Sequence, residues 1–291
     1  MIKSPLRYPG GKSKLIEYIK SLIMTEGLED CDFYEVYAGG ASVSINLLAD
    51  KVVKRVIINE KDPLIYSFWY SVFFYTEELC NLISSTPITV ENWYKMAKFR
   101  DLDFIRDKSI VEIGFACLFL NRTNFSGILN ANMLGGVEQN SAYNIDCRFN
   151  KNRIINLIKD ISKLRNCVEI YNLDAIDFMI ARVPKRYRDH SLVYLDPPYY
   201  KQGKKLYRFY YKEEEHIVLS DFILKQPFNW LISYDKHEFI ESLYTQKNIA
   251  IRNIHFDYSV NTSKKNQEEI LISNLEIPPI QEMVIDEKII V

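Results

Sequence analysis

No stretch of this 291-residue sequence is apolar for long enough to cross a membrane. The opening residues MIKSPLRYPGGK also lack the hydrophobic segment of a secretion signal. Cysteine is scarce and scattered. Cys31, Cys80, Cys117, Cys147 and Cys167 are odd in number and never in C-x-x-C spacing, which argues against a disulfide scaffold or a zinc centre and for a reducing cytoplasm. Excess charge is missing too: the formal net charge is −1, so binding to a polyanion would need a local basic patch. Internal repeats and low-complexity linkers are absent. What remains is an ordinary globular composition, long enough to bury a full core in one or two domains.

The densest chemical signal is Ser191-Leu-Val-Tyr-Leu-Asp-Pro-Pro-Tyr-Tyr200. The run SLVYL is too short for a helix and reads as a buried strand of a parallel sheet. In open α/β sheets ligands sit beyond the carboxyl ends of strands, where Asp196 falls. Pro197 and Pro198 fix a rigid turn without N–H groups. A stiff carbonyl, a carboxylate and the aromatic face of Tyr199 suit the gripping of a planar base that carries an amino group. A proline-terminated strand with surface tyrosines accounts for the same four residues equally well.

Around this strand the pattern alternates. A helix is expected over Ser13–Met24, a strand over Asp32–Tyr37, a tight turn at Ala38–Ala41, a helix to Ala49 and a strand over Arg55–Asn59. Residues 64–164 then read as mainly helical, broken by a polar loop at Asn121–Asn150, with Asn150 as a cap for a helix to Leu164. Strands return at Val168–Tyr171, Ser191–Leu195, Trp230–Tyr234, Ile249–Ile254 and Glu269–Ser273, with helices at Ala175–Ala181, Glu213–Leu224 and Lys236–Leu243. The alternation predicts a doubly wound, mostly parallel α/β sheet that carries a helical insertion. The apolar stripe of Phe68, Trp69, Phe73 and Phe74 is expected in the core of that insertion.

Two loops read as a nucleotide-like pocket. Gly39 and Gly40 follow the first strand directly, and Glu60 ends the second, at the spacing of a carboxylate that accepts from ribose hydroxyls. The turn lacks a full G-x-G-x-x-G, which favours an adenosine without phosphates over a dinucleotide. Packing glycines and a surface glutamate explain the pair about as well. The segment LRYPGGKS has Leu6 where a phosphate-binding P-loop needs glycine, and no strand precedes it. It offers instead Tyr8 for stacking and Lys12 for a carboxylate.

Basic and aromatic residues interleave beyond the turn: Lys201, Lys204, Lys205, Tyr207, Arg208, Tyr210, Tyr211 and Lys212, with Lys264-Lys265 further on. Such a stretch suits phosphate contacts and base stacking. Arg122, Thr123, Asn124, Ser126, Asn130 and Asn132 in the polar loop carry groups able to read base edges.

Taken together, PLRYPGGKSKL, FYEVYAGGASVSINLL, INEKDP, FLNRTNFSGI and YLDPPYY resemble the blocks of the Dam-type DNA adenine-N6 methyltransferase family, in its order, over about residues 5–275. The resemblance implies a seven-stranded methyltransferase sheet with its last strand antiparallel. It implies catalysis by residues 1–62 and 166–291 and target recognition by a helical domain over 63–165. It implies S-adenosylmethionine as cofactor, held by Tyr8, Lys12, Gly39, Gly40, Glu60, Asp174 and Asp196, and double-stranded DNA as substrate, with a cognate restriction endonuclease as a further partner. Asp196 and the Pro197 carbonyl would accept the two amine hydrogens of a flipped-out adenine while Tyr199 stacks on it. Two departures are visible. Glu60 stands where aspartate is common, and Ile128–Gly136 lacks the Arg/Tyr-Asn pattern of members specific for GATC. RNA or protein-amide methylation, and a silent DNA-binding homologue, are the alternatives; amide enzymes usually carry Asn before the two prolines.

Overall fold

The computed structural model describes residues 1–8, 12, 15–184, 190–256 and 267–277. The chain runs α1 (Ile16–Thr25), β1 (Asp32–Glu35), α2 (Ser42–Ala49) and β2 (Arg55–Asn59). Five helices follow: α3 (Pro63–Phe74), α4 (Thr76–Ser85), α5 (Val90–Ala97), α6 (Ile110–Thr123) and α7 (Lys151–Ser162). The rest is β3 (Val168–Tyr171), α8 (Ala175–Arg182), β4 (Ser191–Leu195), α9 (Gly203–Leu206), α10 (Glu213–Ile223), β5 (Asn229–Asp235), α11 (Glu238–Leu243), β6 (Ala250–Phe256) and β7 (Gln267–Ser273). The seven strands form one sheet in the order β3-β2-β1-β4-β5-β7-β6. β7 is antiparallel to both its neighbours, and the pairs among β1, β2, β3, β4 and β5 are parallel. The predicted doubly wound sheet with its antiparallel last strand is therefore the fold observed.

Strand residues alternate between two cores, as the period of two requires. Phe33, Val56, Ile58, Leu192 and Tyr194 face α1, α2 and the helical region, whereas Tyr34, Ile57, Val193 and Leu195 face α8, α10 and α11. β4 is buried at every position, which is why its sequence is a continuous apolar run.

The first strand stops at Glu35, two residues before the sequence pattern suggested. The cause is Asn59, whose Nδ2 donates to the Val36 carbonyl at 3.1 Å and so replaces a ladder partner. The same side chain clasps Leu173 through its N–H and C=O, tying together the carboxyl ends of three strands. Sheet order reverses between β1 and β4, so a crevice opens at their carboxyl ends.

Asp62 caps α3 by accepting from Leu64 N–H, with Pro63 at the first helical position. α6 starts in a reciprocal Ser109/Glu112 capping box. These two helices pack closely because Gly114 has no side chain: a Cβ there would lie 2.6 Å from the Ser67 carbonyl oxygen. Phe68, Trp69 and Phe73 are buried as expected, but Phe74 is 44% exposed at the end of its helix. Trp69 Nε1 donates to the Gly39 carbonyl at 2.8 Å, so the helical region braces the glycine turn.

Candidate active site

The crevice at the sheet reversal holds a cavity of about 240 Å³. Its walls come from Tyr8 and Lys12, the segment 35–43, Glu60 and Lys61, Asp196 and Pro198, and residues 207–211. A neighbouring cavity of about 70 Å³ shares Tyr8, Glu60, Tyr207 and Arg208 with it.

Gly39 adopts φ +45°, and a Cβ on it would lie 2.6 Å from the Tyr8 ring. Glycine is thus needed both for the turn and for the close approach of Tyr8. Tyr8 in turn stacks on Tyr207, with centroids 5.9 Å apart and planes 28° apart. Glu60 closes the turn from the end of β2: one carboxylate oxygen accepts from Gly39 N–H at 2.8 Å and the other from Asp62 N–H at 2.9 Å. Burial raises its pKa to about 7, with the neighbouring Asp62 charge adding to the rise and the N–H bonds opposing it.

Asp196 stands at the end of β4, 20% exposed. Lys12 Nζ approaches its Oδ1 at 3.0 Å, and Ser233 Oγ donates to the same oxygen at 2.8 Å. Both contacts use one oxygen, and Oδ2 takes part in neither. Behind it Lys12 also donates to the Tyr199 hydroxyl at 2.6 Å and lies 3.3 Å from Glu269 Oε2 on β7. Tyr199 completes the loop by donating to Glu269 Oε1 at 2.9 Å. Burial and the Glu269 charge raise the Asp196 carboxyl, Lys12 lowers it, and the result is a pKa of about 6. A carboxyl raised in this way, beside a rigid proline turn in a cleft, makes Asp196 a candidate functional group.

Sequence reading did not anticipate Glu35 or Glu269. Glu35 is buried on β1, lines the larger cavity, accepts from Ser44 N–H at 3.2 Å, and is raised to about 8 chiefly by burial. Its signal was an acid in an otherwise apolar strand core. Glu269 is 1% exposed in the strand QEEILIS, where an acid directly ahead of the apolar run ILI was the only hint.

The cavity fits S-adenosylmethionine on chemical grounds. Its wall carries the carboxylates of Glu35, Glu60 and Asp196, suited to a ligand with a sulfonium, an ammonium and ribose hydroxyls. The Lys12 ammonium is already engaged by Asp196 and Glu269, and Lys61 by Asp174 at 2.9 Å. The glycine turn leaves room at the backbone.

Several expected contacts fall elsewhere. Asp174 caps α8 through Ile176 N–H and reaches the cavity only through Lys61. Tyr199 is 5% exposed, and its ring meets Tyr207 edge to face at 6.3 Å; it offers no open face for stacking, and Tyr207 forms the wall instead. Arg208 lines both cavities, but its charge is already offset: its Nε pairs with buried Asp62 at 3.0 Å and its guanidinium also donates to the Arg100 carbonyl. Asn124 is wholly buried and satisfied by the Trp93 indole and the Ile128 and Leu129 carbonyls, so it cannot read a base. Thr123 is likewise spent on the Phe119 carbonyl. Arg122 donates to the Pro5 carbonyl and anchors the N-terminal segment.

Asn130, Lys204 and Lys205 are exposed and line the smaller cavity, and Lys201, Ser126 and Asn132 are also exposed. Tyr210 and Tyr211 line the larger cavity, Tyr211 through a 2.8 Å hydroxyl contact with Tyr37, and Lys212 is exposed. Lys264 and Lys265 lie outside the described residues. Among the described residues no cluster of His, Cys, Asp and Glu could hold a metal ion.

Comparison with known proteins agrees with this geometry. Modification methylase StsI of Streptococcus sanguinis is 23% identical over 94% of this chain and 43% of its own length. Type II methyltransferase M.CviBI of Paramecium bursaria Chlorella virus NC1A is 24% identical over 84% of this chain and 86% of its own. The chain thus spans less than half of StsI and most of M.CviBI. Residues 8–256 match the model of the D12 class N6 adenine-specific DNA methyltransferases. The chain belongs to that family.

Proposed function

We propose that this chain methylates the N6 amine of an adenine flipped out of duplex DNA, with S-adenosylmethionine as the donor. The observation that carries the reading is Asp196, held by Lys12 and Ser233 through one oxygen and set between the glycine turn and Pro198 on one cavity wall.

The bound cofactor supplies an electrophilic methyl group on a sulfonium. The protein must present the amine to it. An adenine amine is a poor nucleophile because its lone pair is delocalised into the ring. Asp196 Oδ2 and the Pro197 carbonyl accept its two hydrogens, which frees the lone pair and aims it. Lys12 and Ser233 keep the carboxylate in position, and two prolines keep the carbonyl there. Glu60 accepts from the ribose hydroxyls, and Glu35 faces the cationic end of the donor. Extrusion of the base costs roughly a few kcal/mol; Tyr207, on the wall of both cavities, recovers part of that by stacking. The helical region α3–α7 carries target recognition, and Asn130 from it faces the smaller cavity together with Lys204 and Lys205 of α9. The names of the two relatives, a modification methylase and a type II methyltransferase, favour a partner restriction endonuclease, tested by whether DNA methylated by this chain resists cleavage.

The test is transfer of label from the methyl-labelled cofactor to plasmid DNA, with N6-methyladenine mapped in the product. Asp196→Ala is expected to lose on the order of 100- to 1,000-fold in turnover while cofactor binding is largely retained. Transfer at the wild-type rate in that variant would remove the proposed role.

A further inference from the structure

A hollow of about 460 Å³ lies behind the N-terminal segment, with Leu6 as a wall shared with the smaller cavity. Lys3, Arg7, Arg122, Arg148 and Arg153 line it, and no Asp or Glu does. Among the described residues none of the five makes an ion pair, whereas Lys159 and Lys163 further along α7 pair with Glu77 and Asp160. The cations bear on one another. Burial, then the charges of Arg7 and Arg153, push the Arg122 guanidinium down to about 10, and Arg7 is lowered by burial and by Arg148. The Pro5 carbonyl pins Arg122, which fixes one guanidinium in the wall of the hollow. Asn150, the cap of α7, lines the same hollow, which adds the positive end of that helix.

Five cations around one hollow, with no acid in its lining, favour an anionic occupant. Guanidinium groups match phosphate oxygens two at a time, and five cations exceed the need of one phosphate. Arg7 immediately precedes Tyr8, which packs on the glycine turn of the larger cavity. An anion seated here therefore runs close past the base pocket. We propose that the hollow seats consecutive phosphates of the DNA strand flanking the extruded adenine. This rests on the DNA methyltransferase reading above.

The test is fluorescence anisotropy of the full chain with a labelled 30-base-pair duplex (about three helical turns) over a series of salt concentrations. Arg148→Ala with Arg153→Ala removes two cations. Each lost phosphate contact lowers the slope of log K against log salt by about 0.9, so the slope should fall by about 1.8 and affinity near 0.1 M salt by on the order of 10- to 100-fold. Arg148→Lys with Arg153→Lys should restore most of the slope. Lys51→Ala with Lys247→Ala, at the amino ends of β2 and β6 and so across the sheet from the site, should change it little. Cofactor affinity and melting temperature should match the wild type in all three. If the alanine pair binds duplex with wild-type affinity and slope while the wild type methylates DNA, the hollow is not a phosphate site. If the wild type binds no duplex at low salt, the DNA methyltransferase reading itself falls.

Discussion

Lys12 is the group whose removal most directly tests how the site is poised. Its ammonium lies 3.0 Å from Asp196 and 3.3 Å from Glu269, so two buried carboxylates share one cation. Lys12→Gln keeps a hydrogen-bond donor of similar length and deletes the charge. At 3.0 Å the attraction is roughly 5 kcal/mol with an effective dielectric of 20. Water entering the gap and movement of Glu269 will reduce it, and about half of it corresponds to roughly two pH units at 1.36 kcal/mol each. Asp196 must be ionised to accept the amine hydrogens, and with Lys12 present its pKa is about 6. At saturating cofactor, which removes the titration of Glu60 and Glu35 from the profile, the acid limb of the wild-type kcat/KM for DNA should therefore turn near pH 6. In Lys12→Gln it should turn near about pH 8, so the variant is about tenfold slower than the wild type at pH 7 and recovers by pH 9. The assay is label transfer to DNA between pH 5 and 9.5, with melting curves to confirm that the variant is folded. An unmoved acid limb, or an equal loss at every pH, would refute the argument that Lys12 sets the charge state of Asp196.

Glu35 should show the opposite balance of stability and binding. A buried carboxyl raised to about 8 destabilises the fold progressively as pH rises from about 4.5, where the unfolded chain ionises, to 8. Glu35→Gln removes that cost, so at pH 8 it should gain about 2–4 kcal/mol and melt several degrees higher, with little gain at pH 5. At pH 9, where Glu35 is mostly ionised, the variant should bind S-adenosylmethionine at least tenfold more weakly by calorimetry, because the charge opposite the cationic donor is gone; unchanged affinity at that pH would place Glu35 outside the site. Gly39→Ala should also spare the global fold while weakening the cofactor. Its Cβ meets the Tyr8 ring at 2.6 Å and its φ of +45° adds about 1–2 kcal/mol of strain, so a titration showing wild-type affinity would contradict the geometry.

Which parts of this molecule the sequence discloses follows from the range of the forces involved. β2, β3 and β4 occupy the expected residues because their signal is local: β-branched and aromatic runs closed by polar residues. Asp196, Gly39, Gly40 and Glu60 meet at one cavity because each sits at the end of a strand or in the turn after it, and strand order brings those ends together, while Lys12 reaches them from the segment ahead of α1. Side chains in loops are not fixed in this way. Arg122, Asn124 and Arg208 have the composition of nucleic-acid contacts, yet each has been taken by a backbone carbonyl, an indole or a buried aspartate that lies 31 to 146 residues away in sequence. Glu269 was missed for the same reason: it meets Lys12 across 257 residues, through a strand that adds to the sheet from its far end. A polar residue type gives the capacity for a contact, and only the tertiary fold decides which partner claims it.

That sorting also bears on the weak net charge, which at first argues against a polyanionic substrate. The formal value of −1 sums 37 basic and 38 acidic residues and hides how they are distributed. The cofactor cavity has Glu35, Glu60, Asp196 and Glu215 on its wall, and its cations Lys12, Lys61 and Arg208 are each paired with an acid, whereas the hollow behind the N-terminal segment gathers five cations and no acid. The two are separated by little more than residues 4–8 and share the smaller cavity as a common border. A DNA strand drawn onto the cations is thereby kept off the carboxylates, and only a neutral base, stripped of its backbone charge, meets no electrostatic barrier in passing between them. Overall charge is thus a poor guide for an enzyme that must hold a cation and a polyanion within one crevice. The arrangement of like charges around each cavity is the informative quantity, because repulsion from the wrong field excludes each ligand from the other's place as firmly as attraction holds it in its own.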